Sequence, residues 1–201
     1  MEKVDGEVAR LLALVREGLA GATEALLHQD RARAEALVAR DQEIDELSRQ
    51  VEELVRERLD RMNLTREELA YLITVLQILP ELERSADLAE HIAQRAGHGL
   101  GRDMTPRSRG IVQRMAEVGL EMWHLVAEAY ADRATDAAGE LDEADEELDA
   151  LHTSLTAEVA KGTMPVPVAT ELTLIARFYE RLGDHAVNLG RRIARLGPGM
   201  P

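Results

Sequence analysis

The sequence predicts an all-α protein: two tandem antiparallel three-helix bundles related by an internal repeat. Three observations carry this. Apolar residues recur in steps of three and four over long stretches, the period of a helix packed on one side. Hydrophobic residues make up 45% of the 201 residues but aromatics only 2%. Leu, Ala and Val must therefore fill the core, which suits helices and disfavours an aromatic-rich β-sandwich. Near the middle, Gly97-His98-Gly99-Leu100-Gly101 packs three glycines into five residues and is the best boundary, dividing residues 1–100 from 101–201.

The elements follow in order. Val8, Leu11, Val15, Leu19, Ala22 and Leu26 form one stripe, so the first helix starts near Val4 and ends before His28-Gln29-Asp30. Asp30 is a helix cap for a second helix from about Arg31 to Met62, with Leu37, Ile44, Leu47, Val51, Leu54 and Leu59 inward. Thr65-Arg66-Glu67-Glu68 matches a capping box and opens a third helix that runs to about Ala96. Pro80 lies inside it and should kink it, because its ring removes one backbone hydrogen bond. Thr105-Pro106 restarts helix with a cap and a proline at the first position. Ile111, Met115, Val118, Met122, Leu125 and Ala129 stripe this fourth helix. A fifth spans about Thr135 to Ala160, and a sixth about Val166 to Leu196, closed by Gly197-Pro198-Gly199. Helices of this length, about 45 Å for 30 residues, pack as two three-helix bundles set end to end or side by side.

Charge and composition remove several function classes. There is no Cys, so disulfides and thiolate metal sites are excluded, as a reducing cytoplasm would favour. No apolar run is long enough for a membrane span, and the first residues lack a signal-peptide pattern. The formal net charge of -14 argues against nucleic acid and favours cation binding or a basic partner surface. Ser48, Ser85, Ser108 and Ser154 suggest no Ser-His-Asp triad in the sequence. The glycine cluster lacks the Lys-Ser/Thr ending of a phosphate loop and reads as a hinge or linker.

The strongest chemical signal is a repeated set of acidic pairs. Glu180 and Asp184 stand four apart, so both carboxylates lie on one helix face about one turn apart. Asp145 and Asp149 have the same spacing on the preceding helix, and Asp41/Asp45 with Glu83/Asp87 form an earlier copy. The spacing differs between halves by about two helical turns, which keeps the faces in phase. Opposed carboxylates must take up protons or a cation. All-oxygen ligation suits Mg, Ca, Mn or ferric iron, with His185, Asn188 and His91 as additional ligands. An acidic pair at this spacing most often marks a solvated face; its repetition in phase gives the set its weight. Arg84 and Arg181, each following a motif Glu, read as partners of neighbouring carboxylates, and Trp123 reads as core.

The stretch Glu180-Arg181-Leu182-Gly183-Asp184-His185-Ala186-Val187-Asn188-Leu189, with Asp-x-x-x-Asp on the preceding helix and both repeated, strongly resembles the PhoU family of phosphate-signalling regulators. The resemblance covers essentially the whole chain. The second copy matches better; the first has Ser85-Ala86 where Leu182-Gly183 stand later. The resemblance implies metal-binding residues Asp41, Asp45, Glu83 and Asp87 in the first site, and Asp145, Asp149, Glu180 and Asp184 in the second. Some family members look like holders of multinuclear iron or zinc on these carboxylates; others appear without metal. It also implies a non-enzymatic, cytoplasmic, homodimeric negative regulator that links the ATPase subunit of a phosphate transporter to a phosphate-sensing histidine kinase. Two rivals stand beside it. Glu121-x-x-His124 and Asp149-x-x-His152 have the spacing of a ferritin-like di-iron carboxylate protein, an oxidase or iron store, although Asp149 replaces Glu. A metal-free helical adaptor keeps the fold and loses the sites.

Overall fold

The computed structural model describes residues 1–61, 63–132 and 137–196, without the side chain of Asp41. The described residues are helical with no strand. In chain order the helices are α1 (Glu2–His28), α2 (Arg31–Val38), α3 (Asp41–Leu59), α4 (Arg66–Gly97), α5 (Leu100–Asp103), α6 (Pro106–Asp132), α7 (Ala137–Val159) and α8 (Val166–Ile193). A short 3-10 turn, Ala194–Leu196, ends α8. Gly197-Pro198-Gly199 and Thr135 lie outside the described residues.

Local signals set most boundaries. Gln29 adopts a left-handed conformation, φ 61°, and its N–H bonds the Ala25 carbonyl to stop α1. Asp30 caps α2 through the Arg33 N–H at 3.0 Å. The capping box is complete: the Glu68 N–H donates to Thr65 Oγ1 at 3.1 Å, and the Thr65 N–H donates to Glu68 Oε2 at 2.9 Å. Thr105 caps α6 through the Ser108 N–H at 3.1 Å.

Two expectations need correction. The single helix expected from Arg31 to Met62 is two. Ala39 and Arg40 form a tight turn in which the Arg40 N–H reaches the Leu37 carbonyl at 3.0 Å, and α3 then starts afresh. Both α2 and α3 then pack against α1 and α4. As expected, Pro80 lies inside α4, which stays helical through it. Arg192 donates to the Gln77 carbonyl at 2.5 Å, one residue along from the Leu76 carbonyl that the ring leaves without its N–H. The glycine cluster is no loose hinge. Gly99 takes φ 85°, which an L side chain rarely adopts, and Gly101 presses on the Leu26 carbonyl so closely that a Cβ there would collide with backbone. Arg109 then donates to the Leu27 carbonyl at 2.5 Å and also to the Gly101 carbonyl.

The halves lie side by side. Helices α1, α4, α6 and α8 pack together, with α2–α3 covering α1 and α4, and α7 covering α6 and α8. The α1 stripe from Val4 through Leu26 is buried as expected, and Trp123 is fully buried with its indole N–H on the Leu182 carbonyl at 3.2 Å. Buried polar pairs stitch the halves together. Thr23 and Tyr179 hydroxyls meet at 2.6 Å, and Tyr71 and Tyr130 at 2.9 Å. Burial of such groups is tolerable only because each has a partner.

Gly101→Ala should therefore cost roughly 1–3 kcal/mol, as an overpacked contact does. Gly110, where an added Cβ meets nothing within 4 Å, is the control. Gly110→Ala should be neutral or stabilise α6 by up to about 1 kcal/mol. Urea unfolding of the two variants checks both.

Candidate metal centre

The second acidic set is built on an unusually close helix pair. At Gly183, a Cβ would stand 2.7 Å from Leu148 Cδ2 and 2.8 Å from Asp145 Oδ1. At Gly190, about two turns further along α8, a Cβ would collide with Leu141. Bare backbone at these two positions lets α7 seat directly on α8. It also lays the Asp145 carboxylate against the α8 backbone, on the same turns as Glu180 and Asp184. The repeat places Ala86 and Ala93 at the corresponding positions of α4. An apolar cleft of about 40 Å³ opens there between α1, α2–α3 and α4, lined by Leu14, Gly18, Leu37, Ile44, Ala86 and Ala89.

The electrostatics follow the packing. Half-burial pushes the Asp145 carboxyl from 3.8 up to about 6, with Asp184, Asp149, Glu180 and Asp142 adding repulsion. Burial also raises Glu180; Arg177 opposes this, and Asp184 and Asp149 add to it. Arg177 bonds Glu180 Oε1, while Glu180 Oε2 is buried with no hydrogen-bond partner. In the first set burial raises Asp87, and Asp45 and Glu83 contribute to the rise. So the structure brings Asp145, Asp149, Glu180 and Asp184 into one field, and Asp45, Glu83 and Asp87 into another. The side chain of Asp41 is outside the described residues.

This donor set suits a hard cation. Raised carboxyls and an unpaired buried oxygen are what an ion would relieve. As the side chains stand, however, no group of three or more carboxylates and imidazoles among the described residues is gathered tightly enough to hold one. Asp149 and Asp184 are exposed and would have to rotate inward.

The additional ligands are placed elsewhere. His185 turns away from Asp184 into the seam between the halves, 4% exposed, with Nδ1 2.9 Å from Ser85 Oγ. Ser85 donates its own proton to the Glu81 carbonyl at 2.6 Å, so His185 Nδ1–H is the donor. Burial lowers the His185 pKa, and Nε2 lies 3.7 Å from Glu81 Oε2. Serine, histidine and an acid thus do meet, across 100 residues of sequence. Ser85 is fully buried and already committed to its own helix, which makes the trio a structural joint. Asn188 instead lines a cleft with Gln77, Arg191, Arg192 and Arg195. His91 packs on Phe178, ring centroids 5.4 Å apart, within the field of Asp87. Arg84 reaches only Glu81, at 4.0 Å, and Arg181 has no ion-pair partner among the described residues. His124 of the ferritin-like alternative lies on the surface, bonded to Arg16 at 3.2 Å and paired with Glu128 at 3.3 Å.

The family model described as "PhoU domain" matches residues 8–96 and again 112–193. The chain belongs to the PhoU family. A relative in Rhizobium meliloti, named "Phosphate-specific transport system accessory protein PhoU homolog", is 30% identical over 96% of this chain and 83% of its own. One in Thermotoga maritima with the same description, "homolog 1", is 28% identical over 96% and 85%. The fold is that of the crystal structure of PhoU from Pseudomonas aeruginosa, with a TM-score of 0.89, 24% identity, and 97% and 95% coverage. The Streptococcus pneumoniae protein titled "phosphate transport system regulatory protein PhoU" superposes with a TM-score of 0.85 at 21% identity, covering 97% and 93%. Each PhoU repeat carries one acidic set, and the seam residues Ser85 and His185 come one from each repeat. Sequence reading missed that seam. It also missed the role of Gly183, whose signal was present in the Glu180–Leu189 stretch as the one glycine between Glu180 and Asp184.

A pH dependence follows. A carboxyl whose folded pKa is raised stabilises the fold fully below its unfolded value and loses that contribution as pH rises through the folded value. For Asp145 the loss runs from about pH 3.8 to about 6. Asp145→Asn should therefore unfold at a higher temperature than the parent at pH 7.5 in chelator. The gap should close below pH 4. Thermal melts across this range provide the check.

Proposed function

We propose that this protein is a non-enzymatic, cytoplasmic regulator of phosphate uptake and of the response to phosphate starvation. In this reading it works as a homodimer, between the ATPase subunit of a phosphate transporter and a phosphate-sensing histidine kinase, and holds starvation genes off when phosphate is plentiful. The observation that carries the reading is the doubled PhoU match, which accounts for nearly all of the chain. The names of the Rhizobium meliloti and Streptococcus pneumoniae proteins support it. No helix among the described residues is long and apolar enough to cross a membrane, consistent with a protein that meets the transporter from one side. With this reading goes a division into two units, residues 1–100 and 101–201, supported by the two matched segments.

Metal is part of the proposal. Asp145, Asp149, Glu180 and Asp184 would hold iron or zinc, or Mg or Ca, in the second half, with Asp41, Asp45, Glu83 and Asp87 in the first. The raised Asp145 carboxyl and the unpaired Glu180 oxygen support the second site more than the first. Such an ion would supply positive charge that locks α7 to α8; the carboxylates orient it.

Two measurements test this. Deleting the gene should raise phosphate-starvation transcripts in high phosphate, and unchanged transcripts would end the regulatory reading. Elemental analysis of untagged protein prepared without chelator should show metal, reduced in Asp184→Asn; absence under several loading conditions leaves a metal-free adaptor. Ferroxidase activity would instead favour the di-iron alternative, against the surface position of His124.

A further inference from the structure

The cleft of about 300 Å³ at the C-terminal end of α8 is lined by hydrogen-bond donors. Arg191 and Arg192 come from the last turn of α8, Arg195 from the 3-10 turn that follows, Asn188 from one turn earlier, and Gln77 from α4 across the seam. No acid among the described residues lines it, and the exposed apolar row of α4, Leu69, Ile73 and Leu76, lies outside its lining. Two of the arginines are held in place. Asp142 on α7 bonds Arg191 at 3.0 Å. Arg192 lies 3.5 Å from Glu81 Oε1 and donates to the Gln77 carbonyl. A guanidinium has five N–H donors, so each keeps donors to spare once anchored. Arg195 and the amides of Asn188 and Gln77 are exposed, and these side chains have no hydrogen-bond or ion-pair partner among the described residues. Three guanidiniums thus meet two anchoring carboxylates, which leaves positive charge uncompensated on a chain of net charge -14.

The end of a helix does not by itself call for this. A basic side chain near a C-terminus offsets the helix dipole, and the repeat shows how little that requires. With Glu83 laid on Glu180, the positions of Arg191, Arg192 and Arg195 are held in the first half by Gln94, Arg95 and His98. Helix α4 therefore ends with a single arginine in its last turn. That arginine is closed in, paired with Glu171 at 3.0 Å and stacked 4.8 Å from the centre of the Phe178 ring. In the same alignment Glu81 takes the place of Phe178. So where the first-half arginine is covered by an aromatic ring, the second-half arginine is anchored from below by a carboxylate, stays open, and has two further arginines beside it.

We propose that this cleft binds an oxyanion of the phosphate class, free or as the terminal group of a phosphorylated small molecule. The planar guanidinium fork matches a pair of phosphate oxygens. Donors that converge from five side chains on two helices suit a tetrahedral ion, with oxygens on every side, better than a flat carboxylate. The volume stands at the small end of the range for small-molecule pockets. A nucleic-acid backbone is disfavoured, since it would have to continue past this one cleft over a strongly anionic chain. The proposal does not rest on the regulatory reading or on metal, because the donors belong to the chain itself and lie apart from the acidic sets.

The test is isothermal titration calorimetry of the full chain with inorganic phosphate and with ADP, at an ionic strength fixed with NaCl. Chelator is present throughout, so that phosphate held through a cation on the acidic sets does not register. At least one probe should bind with a Kd below about 1 mM. Arg195→Gln and Asn188→Asp should each weaken that binding at least fivefold. Arg181→Gln, which removes an exposed and unpaired arginine outside the cleft, should change it less than twofold. Arg195 and Asn188 are exposed and make no side-chain contact that the fold uses, and circular dichroism verifies that the variants are folded. Tighter binding of phosphate identifies the free ion as the occupant; tighter binding of ADP identifies a terminal group on a larger molecule. A Kd above about 1 mM for both probes overturns the proposal. So does affinity indifferent to Arg195→Gln, or an equal loss in Arg181→Gln, which would be an effect of overall charge.

Discussion

The absence of a side chain at Gly183 sets the geometry of the second half. A methyl there would have to displace both Leu148 and the Asp145 carboxylate. Without it, α7 comes to rest on α8, and Gly190 repeats the device further along. The raised Asp145 carboxyl follows from that approach, because its largest cause is burial and its next is the Asp184 charge on the facing helix. Where the repeat has Ala86 and Ala93, a cleft remains beside α4. Within a duplicated design, the second half has glycine where the first has Ala86 and Ala93, and only at the glycines does a bare backbone meet Leu148, Asp145 and Leu141 this closely.

The same duplication explains the seam. If the second copy repeated the first, Ser85 would face a leucine, since Leu88 stands at the position of His185 in the first repeat. The copies differ at both positions, a hydroxyl on one side and an imidazole on the other, and the two bond in the buried interface. Glu81 makes this tolerable. Its carboxylate is matched by Arg192 at 3.5 Å and lies near His185, while its carbonyl takes the Ser85 proton. A buried polar joint of this kind stabilises little in total, but leaving any member unpaired is costly, so it fixes how the halves register.

Much of the fold was legible because its signals are local. The α1 stripe, the Thr65–Glu68 box and the Thr105-Pro106 start each depend on residues within a turn or two. The break at Ala39-Arg40 was not legible: Leu37, Ile44 and Val51 stay nearly in phase across it, so periodicity reads straight through. The acidic residues were found by spacing and repetition. Their supposed companions were not, and the reason is angular. Neighbours in sequence on a helix point about 100° apart, so His185 cannot share Asp184's face, and Asn188 turns toward the arginines of the α8 end. What His185 does touch lies 100 residues away, beyond any local pattern.

The two chemistries of this surface are consistent with one another once the helix faces are separated. On α4, Glu83 and Asp87 look toward α3, while Arg66, Gln77 and Arg84 look toward α8, with the apolar row between them. On α8, Asp145's neighbours Glu180 and Asp184 look toward α7, while Arg192 and Arg195 look toward α4. A chain that is strongly anionic in sum keeps a basic strip where its halves meet. That strip already performs one structural task, through Arg192 on the Gln77 carbonyl and Glu81. The guanidinium groups left over are surplus to that task, and they border the exposed apolar row on α4.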